Sequence, residues 1–115
     1  MDTQKLWSRV RAEMDAASDA RHAGLEGRAR VSARRAAALA IHGCMLEPDT
    51  QPGLNVLSIL NEFCSQPHPV QVIDAVRHLL LRVDQDYQLP EGIDVIADAE
   101  TVIAYCFEQK GIFTK

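Results

Sequence analysis

The sequence predicts an all-α protein, a compact antiparallel bundle of about five helices. Apolar residues recur at spacings of three and four in five separate segments, which is the period of an amphipathic helix. Short turns with glycine or proline separate these segments, and no alternating strand pattern competes with them. The length of 115 residues suits one hydrophobic core, so residues 1–115 are predicted to form a single helical-bundle domain.

The composition favours a soluble globular protein, with 47% hydrophobic and 24% charged residues. No run approaches the roughly 20 apolar residues of a membrane helix. Charges are spread through the first residues, without the separate apolar stretch of a signal peptide. We therefore expect a cytoplasmic protein without a membrane segment.

The first helix is predicted from Thr3 to about Ala23. Its apolar positions, Leu6, Val10, Met14 and Ala17, are spaced by four, four and three residues. Gly24 then stands where a helix C′ residue is expected.

The second helix is predicted over residues 27–46 and is the centre of the bundle. It holds six alanines, which favour a helix and allow neighbouring helices to approach closely. Its larger apolar residues fall on three sides, as expected of a helix surrounded by others: Val31, Ile41 and Met45 on one side, Leu39 and Leu46 on a second, and Cys44 on a third.

The third helix is predicted to begin near Pro52, with Thr50 or Gln51 near the cap. Its expected buried stripe is Leu54, Leu57, Leu60, Phe63 and Cys64.

The fourth helix is predicted from Pro69 to about Val83, because proline suits a first turn. Its expected inward-facing residues are Val72, Ile73, Val76, Leu79, Leu80 and Val83.

The fifth helix is predicted over residues 92–110, ending at a glycine of Schellman type, Gly111. Its first turns are acidic, which suits the positive end of the helix dipole. The expected apolar face is Ile96, Ala99, Val102, Ile103, Cys106 and Phe107.

The charge is distributed unevenly along the chain. Residues 1–42 hold eight Lys/Arg and five Asp/Glu, whereas residues 43–115 hold four and eleven. This asymmetry predicts either ion pairs between the two halves or a basic patch on an acidic body.

Arg35 and His42 are the candidate catalytic pair. They lie seven residues apart, so they share one face of the helix, with their Cα atoms about 10 Å apart. A guanidinium that holds a phosphate and an imidazole that moves a proton could together cleave RNA. In the alternative reading, Arg35 pairs with an acidic residue and His42 packs at the edge of the core.

The other arginines of the second helix are candidate interface residues. By its angle around the helix, Arg34 lies between Ile41 and Met45, on a side that should be shielded from water. Its charge therefore needs a partner. We expect a structural ion pair or a subunit-interface pair, and the candidate acids are Asp74, Asp84, Asp94, Asp98 and Glu100. Arg28 and Arg30, near the helix start, are expected to be solvated.

No cofactor or metal is predicted. Cys44, Cys64 and Cys106 are far apart in sequence and lie among apolar neighbours, which favours buried, reduced thiols. Asp94 and Asp98 lie one helical turn apart and could seat a cation, although near a helix start such a pair more often suits the dipole.

The order of these features resembles the HEPN helical domains. The matching pieces are Ala20-Arg-His-Ala-Gly24, the alanine-rich 33–40, Leu79-Leu-Leu-Arg82 and Asp86-Tyr87-Gln-Leu-Pro90. The resemblance implies a bundle with a central second helix and frequent dimerisation. In many members it also implies a ribonuclease with an R-x4–6-H motif, which Arg35-x6-His42 matches at its longest spacing. Here, however, the pair lies on the second helix, earlier than in catalytic members, and Ala36 follows the arginine.

Three functions are therefore considered. The first is a non-catalytic interaction module that forms a homodimer or docks on another protein through the second helix, with Arg28, Arg30, Arg34 and Arg35 at the interface. The second is a metal-independent ribonuclease, of the kind found in toxins and phage defence, that uses Arg35 and His42. The third is a small subunit or inhibitor of a nucleic-acid-handling complex, such as a CRISPR effector. It would use the basic half of the chain, residues 1–42, as its contact surface.

Overall fold

The computed structural model describes residues 3–45, 55–81 and 92–109, and these residues form an all-α bundle of five helices. The helices are α1 (Thr3–His22), α2 (Glu26–Met45), α3 (Val56–Cys64), α4 (Val70–Leu80) and α5 (Val95–Gln109). No strand occurs within the described ranges. The predicted fold class is confirmed.

Helix α2 occupies the centre of the bundle and contacts all four other helices. Its buried face is built from alanines, whose single methyl groups let the neighbouring backbones approach closely. Six of them are 0% exposed: Ala29, Ala33, Ala36, Ala37, Ala38 and Ala40. The prediction of a central alanine-rich helix is therefore confirmed, but Val31 was wrongly placed among its buried residues, since it is 52% exposed.

The turn between α1 and α2 closes as a Schellman motif. Gly24 has a φ of +78°, the left-handed conformation that glycine adopts without a Cβ penalty. The amide of Gly24 donates to the carbonyl of Arg21, and the amide of Leu25 donates to that of Ala20. The predicted C′ glycine is confirmed, and the short turn allows α2 to pack against α1.

The two helices approach each other closely at Gly43. A Cβ at this position would lie 2.4 Å from Leu6 Cδ2 and 2.6 Å from Leu6 Cδ1. Leu6 is itself a buried core residue of α1. A methyl group here would have to displace the buried side chain of Leu6, so packing favours glycine although it weakens the helix locally.

Helix α3 begins at Val56, behind an Asn55 cap whose side chain accepts a hydrogen bond from the Ser58 amide. The predicted first residues, Thr50, Gln51, Pro52 and Leu54, lie outside the described ranges. Leu60 and Phe63 are buried as predicted. Leu57 is not: it is 55% exposed, and Ile59 takes its place in the core. The buried stripe of α3 is therefore Ile59, Leu60 and Phe63.

Helix α4 follows Pro69 and ends at Leu80, and its predicted inward-facing residues are buried, except that Leu80 is half-buried. Helix α5 begins at Val95, a little later than predicted, because Asp94 caps it: its carboxylate accepts from the amides of Ile96 and Ala97. The predicted face of α5 is buried apart from the half-buried Ile96. Val83, Lys110 and Gly111 lie outside the described residues.

The buried side chains of all five helices join in one hydrophobic core. It contains few aromatic groups, of which Phe107 is the largest fully buried one, with the edge of Trp7 packed against it at a centroid distance of 4.9 Å. Across the described part of the chain, no helix is both long and apolar enough to cross a bilayer.

Candidate functional site

Arg35 lies on the outer face of α2, where its guanidinium is exposed to solvent. Its nearest described acidic group is Glu13 of α1, at 3.7 Å between Arg35 Nη1 and a carboxylate oxygen. A pair at this distance between partly solvated groups is weak. Arg35 is thus accessible to a partner or ligand, and only loosely bound to its own chain.

His42 lies seven residues further along the same helix, but its imidazole is half-buried. Its Nε2 atom is shielded from solvent and has no hydrogen-bond partner among the described residues. Arg35 and His42 thus share one helix but differ in burial. The catalytic role of the pair stays a prediction.

Arg34 has a structural environment that the sequence did not reveal. Its Nε donates to the carbonyl of Leu79, and its Nη2 donates to the carbonyl of Leu81 at 2.7 Å. Both acceptors lie at the C-terminal end of α4, where carbonyls lack intrahelical partners and the helix dipole favours a cation. Burial lowers the pKa of Arg34, and the neighbouring charge of Arg30 lowers it further.

The predicted ion pair of Arg34 is therefore not observed among the described residues, since none of the described ion pairs includes it. Two backbone carbonyls satisfy the guanidinium instead. Of the proposed interface arginines, Arg34 is thus the one whose guanidinium donates hydrogen bonds to backbone carbonyls within the bundle. Arg28 is exposed and Arg30 half-buried, and neither forms an ion pair with another described residue.

Ion pairs join the basic and acidic halves of the chain. Arg11 of α1 contacts Glu100 of α5 at 2.5 Å. Arg21 bridges two helices: it bonds to Glu26 at the start of α2 at 2.7 Å and to Asp94, the cap of α5, at 2.8 Å. The hydrogen bonds that Arg21 donates to Glu26 and Asp94 raise the pKa of Arg21, and the bond from Arg21 lowers the pKa of Asp94. Part of the charge asymmetry is therefore neutralised within the fold.

His78 and Asp98 form a contact that the sequence analysis did not identify. His78 Nδ1, on the last turn of α4, lies 3.1 Å from Asp98 Oδ2 on the first turn of α5. Burial raises the pKa of Asp98, while the nearby His78 opposes that shift. Asp94 and Asp98 thus have separate cationic or basic partners, Arg21 and His78, rather than a shared cation. Helix periodicity could not reveal this pair, because it depends on the register between two helices.

His68 lies in a small aromatic cluster between α3 and α5. Its ring stacks on Phe63 at 3.9 Å between centroids and 4° between planes, and its Nδ1 lies 2.9 Å from the hydroxyl oxygen of Tyr105. The second nitrogen, Nε2, is shielded and has no hydrogen-bond partner among the described residues. Burial lowers the pKa of His68, so the neutral ring is favoured.

None of the three cysteines forms a disulfide. Cys106 is buried as predicted, and burial raises its pKa. Cys44 and Cys64 are only half-buried, which corrects the prediction that all three are buried. They lie on α2 and α3 at positions near the edge of the core. No cluster of three or more His, Cys, Asp or Glu side chains that could hold a metal occurs in the described ranges.

Comparison with known proteins adds no family: no family model matches the sequence, and no curated protein or solved structure shows significant similarity to it. The resemblance to HEPN domains therefore stays a prediction. Two of the segments that carry it, 20–24 and 33–40, lie in the α1–α2 turn and on α2, whereas residues 82–90 lie outside the described ranges.

Proposed function

We propose that this chain is a cytoplasmic, non-catalytic, HEPN-like interaction module that forms a homodimer through the outer face of α2. The observation that supports this proposal is a strip of exposed residues on a helix whose other residues, beyond the first two, are buried or half-buried. Arg28, Val31 and Arg35 fall within about 60° of one another around α2, and all three are exposed. Val31, at their centre, is a β-branched apolar residue that is 52% exposed.

The alanine face of α2 is not this interface, because it is already covered by the other helices. The small residues of that face contact the neighbouring helices of the bundle. The exposed residues of α2 are those of the outer strip together with Glu26 and Gly27, which precede it. The space above Gly27 is open, since an added Cβ would meet only Arg30 Nη2, at 3.8 Å.

This strip is complementary to itself. In an antiparallel pair of α2 helices with a two-fold axis at Val31, the residue four positions before it faces the residue four positions after it. Arg35 of one copy then lies over Gly27 of the other, next to the carboxylate of Glu26. Arg35 can make this contact because it is held only loosely, at 3.7 Å from Glu13. Both carboxylate oxygens of Glu26 already accept from Arg21, but each has a second lone pair.

Sedimentation equilibrium over about 1–100 µM tests the proposal. We expect a weak dimer, because one helix face is a small interface. Val31→Asp places two carboxylates on the axis and should abolish association, and Arg35→Glu should weaken it. The matched control is Val70→Asp, since Val70 is 68% exposed at the start of α4 and should leave the dimer unchanged.

A crosslink tests the symmetry itself. In a chain whose Cys44 and Cys64 are serine, Val31→Cys should form an intermolecular disulfide on mild oxidation, because a residue on a two-fold axis faces its own copy. Val70→Cys in the same background should crosslink far more slowly. A monomer at all concentrations, or equal crosslinking rates at the two positions, would refute the homodimer.

A further inference from the structure

The exposed side of α2 carries an excess of positive charge. The helix holds four arginines and one acidic residue, Glu26, whose carboxylate is already offset by two hydrogen bonds from Arg21 of α1. Arg28 is exposed and takes part in none of the ion pairs among the described residues. Arg35 is exposed as well, and its one ion pair in the described part of the chain is the weak contact to Glu13 at 3.7 Å. The bundle therefore leaves Arg28 and Arg35 largely without counter-charge.

These two arginines lie along the same edge of the outer strip. At 100° per residue, Arg28 lies about 60° and Arg35 about 40° from Val31, in the same direction around the helix. They are about 10 Å apart along α2, one on each side of Val31. In a single copy, the two guanidinium groups are therefore neighbours on one face but are separated by two helical turns.

The proposed homodimer, on which this inference rests, brings arginines of different copies together. A two-fold axis at Val31 reverses the helix direction but keeps each edge of the strip on the same side. Arg28 of one copy is three residues from the axis and Arg35 of the other is four, so their levels along the helix differ by about 1.5 Å. Paired helices lie about 8–10 Å apart, which two arginine side chains can span. The dimer thus has two such pairs of like charge, which oppose association unless an anion lies between them.

A phosphate group has the charge and geometry that match such a pair. Each guanidinium can donate two parallel hydrogen bonds to phosphate oxygens, which a chloride ion cannot accept in this way. Arg28 is the third residue of α2, so the positive end of the helix dipole lies at the same place and also favours an anion.

We propose that each pair formed by Arg28 of one copy and Arg35 of the other binds one phosphate dianion, so that the dimer holds two. The dianion is either free inorganic phosphate or the phosphate monoester of a small organic molecule. Since the complete site exists only in the dimer, the ligand binds the dimer more tightly than the single chain. Phosphate thereby controls how strongly the two copies associate.

Sedimentation equilibrium of the full chain at about pH 8, where phosphate is a dianion, tests this dependence. One sample contains chloride and the other inorganic phosphate at equal ionic strength, so that general screening is the same in both. With phosphate at twice the dissociation constant of each of the two sites, the association constant should increase about ninefold. A third sample with a nucleoside monophosphate identifies the source of the ligand: a larger increase than with inorganic phosphate assigns the sites to an organic monoester, and a smaller one to the free ion.

Arg28→Gln separates a phosphate site from an ordinary interface contact. The substitution removes one guanidinium from each pair and leaves Val31 in place. In chloride the variant should dimerise at least as tightly as the unaltered chain, because the repulsion between Arg28 and Arg35 is gone, and phosphate should no longer strengthen its association. The matched control is Arg77→Gln, since Arg77 is an exposed arginine of α4 outside the strip. This control should keep the full response to phosphate.

The outcomes distinguish the phosphate sites from the homodimer itself. A dimer that is equally tight in chloride and in phosphate overturns the sites and leaves the homodimer standing. The sites are also overturned if folded Arg28→Gln, checked by circular dichroism, responds to phosphate as the unaltered chain does, or if it dimerises more weakly in chloride. A chain that stays monomeric in both buffers overturns the homodimer and the sites together.

Discussion

Arg34 illustrates how a single charged residue can lie on an apolar helix face without a counter-ion. Its guanidinium donates to the carbonyls of Leu79 and Leu81, which the end of α4 leaves without intrahelical partners. One side chain thereby satisfies two backbone groups and joins α2 to α4. The sequence indicated that Arg34 needs a partner, but it could not indicate carbonyls, because every residue carries one.

At the same scale, His68 should make stability depend on pH. Burial lowers the pKa of His68 in the folded chain below its usual value near 6.5. As the pH falls below about 6.5, the unfolded chain therefore takes up a proton before the folded one does. Stability from this group is complete above that pH and is lost as the pH falls towards the folded pKa.

Urea unfolding of the unaltered chain and of His68→Phe, between about pH 5 and pH 7.5, measures this effect. The unfolding free energy of the unaltered chain should fall with acidification by at most about 1.4 kcal/mol per pH unit more than that of the variant. Partial exposure of the ring reduces the difference below this limit. Phenylalanine can keep the stacking on Phe63 and removes the titration. It also removes the contact to the Tyr105 hydroxyl, so the comparison is between the slopes of the two pH profiles and not between their absolute stabilities. Parallel pH profiles for the two proteins would contradict the prediction.

At the scale of the elements, α1 and α2 pack closely at Gly43, where packing against Leu6 favours glycine and helix propensity disfavours it. Gly43→Ala should destabilise the protein by roughly 1 kcal/mol, because overpacking the buried Leu6 costs about 1–3 kcal/mol and the gain in helix propensity offsets part of it. Gly27→Ala, on the same helix, should instead stabilise by a few tenths to about 1 kcal/mol, because its added methyl group meets open space.

Chemical unfolding of these two variants compares one substitution at two positions of α2. A Gly43→Ala, Leu6→Val double variant should recover part of the loss, since valine is one methylene shorter and leaves room for the new methyl group. If both glycine substitutions change stability in the same direction, the close approach of α1 and α2 is not what places Gly43.

For the whole molecule, the charge asymmetry acts partly as an internal link. Arg11 and Arg21 of the basic half pair with Glu100 and Asp94 of the acidic half. These arginines are then less available to a nucleic acid than the sequence alone suggested. The exposed arginines of α2 remain, and they form the strip that we assign to a second copy of the chain.

Ribonuclease activity would require Arg35 and His42 to act together on one RNA substrate. Incubation of the purified chain with structured RNA should give no cleavage that depends on both Arg35 and His42, since Nε2 of His42 is shielded while Arg35 faces solvent. Arg35→Ala and His42→Ala, prepared in parallel, should match the unaltered chain in any residual activity. Cleavage that both substitutions abolish would overturn the non-catalytic proposal.

The sequence by itself determined the helices and much of the core, because an apolar period of three to four residues is a local property of the chain. The buried alanines follow from this period, and the cap at Gly24 follows from the preference for glycine at C′. The Asn55 cap differs from the start predicted near Pro52, because proline also favours the first turn of a helix. Only the tertiary structure decided which side chains meet: Arg34 with the end of α4, His78 with Asp98, and Cys106 with Met45. Such pairs depend on the register and orientation of separate helices, which burial of the whole core sets and no local pattern specifies.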